Sequence, residues 1–468
     1  MLNRIPGHGV YALFTLILYC ILAASVQSEA VEAVLQNQPE TPVGTTQRLS
    51  AKDALFLAKN LLEAGRLDDA EIVYAALRNA PNEEYRLEAI FQLAQIRLRQ
   101  SKYRQAVSLF LEILSQRPDI PRVRLELARA YYLDKNYEYA AFQFELVKGG
   151  DLPPEVLANV DVFLDAIRRQ KNWIIDFSFS PVSDSNFNQA SGGREECIDT
   201  VFGPLCRPLQ EKASGMGLSA NATVDYFWRF HQDWGLKATL GFYSTLYEES
   251  KYNDYSLYTA LGPRYLWESG EASLQPSFRK RWIGNRQYSE EYGIRLDARQ
   301  IYRRLLLNTG GAFSQLSYSD AYVESFLKGV SWNVYLQPRY ILTDRTFIQT
   351  GLVFLREETD ERAYTNNNWR YSLGVYHAFP YGIALFMEGS LTNTRYQAPQ
   401  WYVTRDNRID ETTRKDKTWQ IFVSLSSNIL ERYKLTPVIQ YTYTKRDSNI
   451  WTREYDRHRV NFMINYRF

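Results

Sequence analysis

The sequence predicts a two-part chain in which a helical repeat is followed by an antiparallel β-barrel that spans a membrane. Three observations support this: helical periodicity over residues 51–170, a concentration of aromatic residues after residue 172, and period-two alternation from there onward. All ten Trp lie at or after Trp173, and 25 of the 34 Tyr follow it. The 468 residues carry a net charge of +2 and a mean hydropathy of −0.39, which by themselves indicate neither a nucleic-acid partner nor a membrane.

The first residues have the pattern of a secretory signal peptide. Arg4 precedes the apolar run VYALFTLILYCILAA (10–24), and small residues suited to cleavage follow. We expect a signal peptide at 1–28, which would remove Cys20, and a flexible linker at 29–50. A single membrane anchor is the alternative, although the run is shorter than the roughly 20 residues that a spanning helix needs. No other run approaches that length, so any further membrane crossing must use strands.

Residues 51–171 contain a repeat of two helices. One triplet of positions recurs with offsets of 36 and then 34 residues: Leu67-Ala70-Tyr74, Tyr103-Ala106-Phe110 and Tyr137-Ala140-Phe144. Ala58, Ala94 and Ala128 keep the same offsets. This spacing resembles the tetratricopeptide repeat, in which small residues allow paired helices to cross closely. Residues 153–170 are predicted to form a helix that caps the last repeat.

A groove for a polypeptide is the function that this repeat implies. By register with the motif, its lining would be Lys52, Lys59, Phe91, Gln95, Arg122, Arg129 and Tyr132. Four cations with aromatic residues predict an acidic or extended polypeptide as the ligand. The alternative is a solvated helix face with scattered charges.

Residues 172–468 are predicted to form a barrel of fourteen strands. The candidate spans are 172–181, 215–230, 235–248, 255–267, 272–283, 291–303, 305–317, 325–342, 345–356, 368–379, 382–395, 415–428, 435–446 and 455–468. Short connections alternate with longer ones, such as 182–214, 284–290 and 396–414, as in barrels of the Gram-negative outer membrane. That pattern places the helical repeat and the short turns in the periplasm and the long loops outside the cell.

The last strand, VNFMINYRF (460–468), has one apolar face, formed by Val460, Phe462, Ile464, Tyr466 and Phe468. In a membrane barrel this face contacts lipid. A terminal strand that ends on an aromatic residue resembles the signal read by the bacterial barrel-insertion machinery, and we therefore expect that machinery to be a partner.

No catalytic signature is present, and we predict neither an enzyme nor a cofactor or metal. Cys197 and Cys206 are expected to form a disulfide in an exported chain, with a metal site or a nucleophile as alternatives. Six arginines are predicted to face the barrel interior: Arg264, Arg279, Arg281, Arg295, Arg299 and Arg339. These arginines could simply reflect the usual polarity of a pore interior. Alternatively, they could form a basic wall that guides a passing polypeptide or anion, or hold an internal plug in place.

A signal peptide, a short tetratricopeptide array and a barrel of about fourteen strands together resemble the surface lipoprotein assembly modulator family. The resemblance covers the whole mature chain and includes a branch that serves colonisation of an animal host. It implies a monomeric translocon that moves a surface lipoprotein, or a related secreted protein, across the outer membrane. The alternatives are an exopolysaccharide exporter, whose repeat arrays are longer, and a porin or adhesin.

Overall fold

The computed structural model describes residues 49–430 and 435–467. The predicted signal peptide, and its linker as far as residue 48, lie outside these residues. Seven of the described helices precede the barrel: α1 (Ala51–Glu63), α2 (Leu67–Leu77), α3 (Glu83–Arg99), α4 (Tyr103–Gln116), α5 (Pro121–Leu133), α6 (Tyr137–Val147) and α7 (Pro154–Gln170). None of the helices in the described ranges is long and apolar enough to cross a membrane.

The repeated alanines explain how these helices pair. Ala70, Ala106 and Ala140 lie in the first turn of α2, α4 and α6 and are completely buried, as are Ala58, Ala94 and Ala128 in α1, α3 and α5. A methyl group at each position lets two helices approach closely, and Tyr74, Phe110 and Phe144 fill the space beside them. Helix α7 covers the last repeat by stacking Phe163 on Phe144, with ring centroids 5.0 Å apart.

Fourteen of the described strands form one closed antiparallel barrel, which confirms the predicted fold class. They are β1 (Trp173–Asp184), β4 (Gly215–Arg229), β5 (Trp234–Tyr247), β6 (Asp254–Trp267), β7 (Gly270–Ile283), β8 (Arg286–Tyr302), β9 (Leu305–Tyr318), β10 (Gly329–Thr343), β11 (Thr346–Thr359), β12 (Asn366–Ala378), β13 (Ile383–Val403), β14 (Ile409–Ser427), β15 (Leu435–Ser448) and β16 (Tyr455–Arg467). The small hairpin β2 (Glu195–Thr200) and β3 (Gly203–Pro208) lies outside the barrel sheet. Strand β1 pairs with β4 on one side and with β16 on the other, which closes the ring.

Side chains alternate between the two faces of the barrel wall. On β12, Trp369, Tyr371, Leu373 and Val375 point outward and are exposed, whereas the neighbouring Gly374 is buried. On the final strand, Ile464 is exposed and lies opposite the equally outward-facing Phe179 of β1. The described part of this strand therefore has the predicted outward apolar face. The side chain of Tyr466 and all of Phe468 lie outside the described residues.

Two loop predictions and one strand boundary were wrong at the end of the barrel opposite the helices, which we call the loop end. The predicted loop 284–290 is a two-residue turn, because Gly284 and Asn285 both adopt positive φ, as a tight hairpin requires. The predicted loop 396–414 shrinks to 404–408, because β13 and β14 resume pairing after an irregularity between Arg395 and Pro399.

The third error concerns the strand predicted to begin at residue 325, which begins at Gly329. Residues Ala321–Leu327 form a short helix, α8, instead. Its N-cap is Asp320, whose carboxylate accepts hydrogen bonds from the backbone N–H groups of Tyr322 and Val323 at 3.0 and 3.1 Å.

The first long loop carries the disulfide. Cys197 and Cys206 are directly opposite in the β2–β3 hairpin and are joined, which confirms the predicted bond. Glu195 lies near both sulfur atoms, but cysteines held in a disulfide have no thiolate to bind a metal. Phe202 at the hairpin tip is almost fully exposed, and next to the tip the Asp199 N–H donates a 2.9 Å hydrogen bond to the Asn407 carbonyl of the β13–β14 turn.

Candidate functional site

The helical repeat from Ala54 onward and the barrel form one unit, and helix α6 is one of the elements that join them. Its side chains at 139, 142, 145 and 146 lie on one helix face and contact the barrel interior; we call this the plug face. Leu146 is buried among Ile301, Leu306, Ile341 and Phe347, which come from strands β8 to β11. The plug face therefore seats a helix in the end of the barrel that carries the short turns, which we call the turn end.

Aromatic and polar contacts also connect helix α6 to other strands of the barrel wall. Phe142 packs edge-on against Tyr376 of β12, with ring centroids 5.5 Å apart. The hydroxyls of Tyr139 and Thr436, the latter on β15, share a hydrogen bond of 2.8 Å. Together with Leu146, these contacts connect α6 to strands on widely separated parts of the ring.

Glu145 is the charged residue of the plug face, and only 4% of its surface is exposed. Its carboxylate accepts a hydrogen bond from Arg299 of β8, and its second oxygen lies 4.0 Å from Nη1 of Arg339 on β10. We call these three residues the carboxylate latch. A buried carboxylate is tolerated only when cations compensate it, so the two arginines explain why an acid can occupy this position.

A second buried ion pair fixes helix α5 to the turn between β10 and β11. Nε of Arg124 lies 3.5 Å from the carboxylate of Asp344, and both side chains are buried. The guanidinium also donates to the Gln143 side chain and to the Pro118 carbonyl, each at 2.9 Å. Burial lowers the pKa of the Arg124 guanidinium, but with Asp344 beside it the group remains a cation at neutral pH.

The end of helix α7 makes further contacts with the turn end. Arg169 donates to the Gln232 carbonyl at 2.9 Å and to the Asp233 carboxylate at 3.2 Å. In return, Arg229 of β4 donates to the Arg169 carbonyl at 2.7 Å. Since α7 leads into β1 within three residues, these bonds hold the covalent junction between the helices and the barrel close to the rim.

All six predicted interior arginines lie on the inward face of their strands, and each faces a carboxylate. Four of these carboxylates belong to the barrel wall itself: Arg264 with Glu271, Arg279 with Glu291, Arg281 with Asp254, and Arg295 with Asp297. The other two arginines, Arg299 and Arg339, take their carboxylate from the helical repeat. The interior is thus a balanced network of charges, which is less basic than the arginines alone indicate.

The residues predicted to line a polypeptide groove lie on the first helix of each repeat, and they occupy different environments. Phe91 is buried beneath Arg122, whose guanidinium lies 4.8 Å from the ring centroid. Tyr132 is covered by helix α7, since it packs on Phe163 and donates to the Gln170 side chain at 3.1 Å. Lys52, Lys59, Arg122 and Arg129 are exposed and Gln95 is half-buried.

Sequence reasoning missed Glu145, Arg124 and Asp344. The available signal was a charged residue at a position where the repeat would otherwise place an apolar one. Arg124 is such a residue, since it lies among the buried positions of α5.

Two cavities accompany the contact between the helices and the barrel. One, of about 510 Å³, lies inside the barrel beside Arg295 and Arg299. The other, of about 610 Å³, lies between helices α4–α6 and the wall from β10 to β16, with Arg299 of β8 also in its lining.

Comparison with known proteins connects this architecture to a family. The profile of the surface lipoprotein assembly modifier family matches residues 173–468, and a tetratricopeptide-repeat profile matches residues 91–147. The surface lipoprotein assembly modifier of Pasteurella multocida is 24% identical over 395 residues, covering 78% of this chain and 74% of that protein. Surface lipoprotein assembly modifier 1 of Haemophilus influenzae is 23% identical and covers 93% of this chain and 89% of its own length.

A relative with a different title is the hemophilin secretion modulator of Acinetobacter baumannii, at 22% identity over 79% of this chain and 76% of that protein. Among solved structures, OmpT of Vibrio cholerae covers 64% of this chain and 100% of its own, at 8% identity and a TM-score of 0.33. The Yersinia enterocolitica chaperone SycD covers 27% of this chain and 98% of its own, at 19% identity and a TM-score of 0.25. Since the family profile matches more than half of the residues of this chain, the chain belongs to the surface lipoprotein assembly modifier family.

Proposed function

We propose that this protein delivers a partner lipoprotein, or a related secreted protein, across the Gram-negative outer membrane to the cell surface. The helical repeat would receive the client in the periplasm, and the barrel would be the route outward. No covalent chemistry is part of this proposal. The observation that carries it is the plug face: a repeat of the kind that binds polypeptides is built into the mouth of a closed barrel.

The names of the relatives support the choice of client. Several are called surface lipoprotein assembly modifiers, and the Acinetobacter baumannii relative is called a hemophilin secretion modulator. The exposed cations on the first helices at 59, 122 and 129 would attract an acidic segment of the client, whereas Phe91 and Tyr132 would serve the repeat's own packing.

Orientation follows from the same proposal. The turn end, where the helices sit, would face the periplasm, and the disulfide hairpin and the β13–β14 turn would face the medium. A disulfide is suited to that oxidising environment. The outward apolar face of the wall would contact lipid, and the final strand would be read by the barrel-insertion machinery during assembly.

The test compares surface exposure of lipoproteins in intact cells with and without this gene, by protease shaving and antibody labelling, with total lipoprotein levels as the control. We expect one lipoprotein to be made at its usual level yet disappear from the surface when the gene is absent. The proteins in the culture medium are compared in parallel, and the proposal is wrong if every lipoprotein remains displayed and no secreted protein is missing from the medium. Secretion of polysaccharide would then be the next assay, because an exporter, a porin or an adhesin would leave lipoprotein display unchanged.

A further inference from the structure

We propose that Arg299 and Arg339 form a carboxylate-binding site within the channel. Glu145 of the protein's own plug face fills this site at rest, and an acidic segment of a passing polypeptide takes its place when the channel opens. The identity of that ligand as a polypeptide rests on the proposed function. The site itself rests on the geometry of the carboxylate latch.

The first argument is that the site has more donors than its present occupant can use. Arg299 gives one hydrogen bond to Glu145, and its Nε is buried without a hydrogen-bond partner. Arg339 directs Nε and Nη2 at the single Gln349 oxygen, at 3.1 and 3.0 Å, and reaches Glu145 only at 4.0 Å. Two guanidinium groups can each bind a carboxylate in a two-pronged manner, whereas one glutamate is shared between them here.

The second argument is the source of the carboxylate. Arg295 and Arg281 pair with acids on the barrel wall at 2.6 and 2.5 Å, so these ion pairs do not involve the helices. Arg299 and Arg339 instead form their ion pairs with a residue of the helical repeat. Any movement that withdraws α6 therefore leaves two adjacent cations exposed on the inner wall. A buried or half-buried cation without its partner is costly, so an incoming acid would be bound strongly.

The third argument is space. The cavity of about 510 Å³ inside the barrel is lined by Arg299 and Asn308, which lie opposite each other, and by Arg295 nearer the loop end. An extended polypeptide that reaches Arg299 from the turn end therefore meets open volume ahead of it. On the helix side, Glu145, Arg299 and Arg339 also line the cavity of about 610 Å³. The site thus lies at the boundary between the plug face and the channel.

Gly149 allows the end of helix α6 to pack closely against strand β10. A Cβ atom at Gly149, just after α6, would lie 2.4 Å from the backbone carbonyl carbon of Thr343 and 2.7 Å from Cγ2 of Ile341. Because the nearest atom is backbone in β10, a side chain at position 149 must push the helix away from the wall. Gly149→Val is therefore a way to lift the plug face without changing a charge.

The binding experiment uses the purified full-length protein in detergent at low salt, with fluorescent hexaglutamate as the probe. Wild-type protein should bind it weakly because Glu145 competes from within. Glu145→Gln should bind about tenfold more tightly, because the site no longer has an internal competitor. Hexalysine should not bind more tightly to this variant, and added salt should weaken hexaglutamate binding. Glu112→Gln, which removes a carboxylate from an exposed pair of the same helical repeat, should behave like wild type.

Two further variants, with one control variant, identify the site and separate the effect of charge from that of position. The triple variant Glu145→Gln, Arg299→Gln, Arg339→Gln should lose the gain. Gly149→Val, with all charges intact, should gain affinity, whereas Gly389→Ala, where an added Cβ meets no atom within 4 Å, should not. Circular dichroism and heat-dependent gel mobility establish that each variant is folded before binding is measured.

The proposal is wrong if Glu145→Gln binds hexaglutamate no better than wild type, or if the triple variant keeps the gain. Neither result depends on delivery of a lipoprotein in cells. If binding follows the prediction but no lipoprotein leaves the surface of cells lacking the gene, the carboxylate site stands and the proposed function fails. If lipoprotein display requires the gene but hexaglutamate binding does not depend on Arg299 and Arg339, the proposed function stands and the proposed site is wrong.

Discussion

Removing Arg124 should destabilise the helical repeat and loosen it from the barrel. The guanidinium of Arg124 is 5% exposed and the carboxylate of Asp344 is 9% exposed, so neither charge is well solvated when its partner is deleted. Breaking one side of such a buried pair costs about 3–5 kcal/mol. We expect Arg124→Ala to lie in this range, because it also removes the hydrogen bonds to Gln143 and Pro118. Asp344→Ala should cost about 2–4 kcal/mol, since Arg124 keeps those two acceptors.

The assay is a urea titration of the full-length protein in detergent, followed by the helical circular dichroism signal at 222 nm. The two single variants and the double variant form a thermodynamic cycle. Because both residues share one contact, the double variant should be less destabilised than the sum by about 1–3 kcal/mol. The matched control is the exposed pair Arg78–Glu112, whose side chains are 43% and 36% exposed and whose removal should cost at most about 1 kcal/mol.

A coupling energy near zero would refute the reasoning. It would mean that Arg124 and Asp344 do not meet in solution and hence that α5 does not rest on the β10–β11 turn. A cost for Arg124→Ala no larger than that for the exposed control pair would contradict the assigned burial in the same way.

Three further predictions concern the helices, the wall and the loop end. Phe110→Ala should lower the free energy of unfolding of the helical repeat by about 3–5 kcal/mol in the same urea assay, because this ring is completely buried; a cost below about 1 kcal/mol would contradict the packing. Leu373→Arg on the outward face should cost about 2–4 kcal/mol in refolding into lipid vesicles, whereas Ser372→Arg, which points inward, should cost much less; equal costs would reverse the assigned faces. The double substitution of Cys197 and Cys206 by serine should speed trypsin cleavage of the first long loop without changing the heat-dependent mobility of the barrel, and unchanged cleavage would show that the disulfide does not restrain the hairpin.

The features that sequence predicted well are the ones that repeat. An alanine at a helix crossing must be small wherever the repeat recurs, so Ala70 identifies Ala106 and Ala140 as its equivalents. A barrel wall likewise requires alternation in every strand, because one face meets lipid and the other does not. Both signals can be seen along the chain without knowing the tertiary contacts, since the alanines recur at offsets of 36 and 34 residues and the alternation involves adjacent residues. The strand count and the two-part architecture followed from them.

The errors arose where local chemistry competes with that pattern. Residues 286–290 are polar and charged, which predicts a loop, although Gly284 and Asn285 supply the turn and the strand resumes at once. The predicted loop 396–414 is largely strand, and Pro399 is tolerated within it because the ladder is already irregular there. In each case a turn or bulge residue determined where the strand ended, and the overall polarity of the segment gave the wrong prediction.

The contact between the helices and the barrel could not be predicted from a single sequence. Glu145 and Arg299 are 154 residues apart. Each has an ordinary local sequence context, since Glu145 is an acid near the end of a helix and Arg299 is a polar residue on the inward face of a strand. Only the fold brings them together. The same limit applies to Tyr132, whose register placed it in a groove, whereas helix α7 covers it.

The measurement that tests the central claim most directly is lipoprotein display with the plug face locked to the barrel. A photoreactive benzoylphenylalanine at Phe142 lies against Tyr376 and should cross-link α6 to β12 in intact cells on illumination. The same label at Phe56, an exposed aromatic of helix α1, is the control. With the lipoprotein induced after illumination, we predict that cells labelled at position 142 make it but do not display it, while the control cells do. Normal display from cells in which position 142 is fully cross-linked would contradict the account, because a client could then reach the surface without the helical repeat leaving the mouth of the barrel.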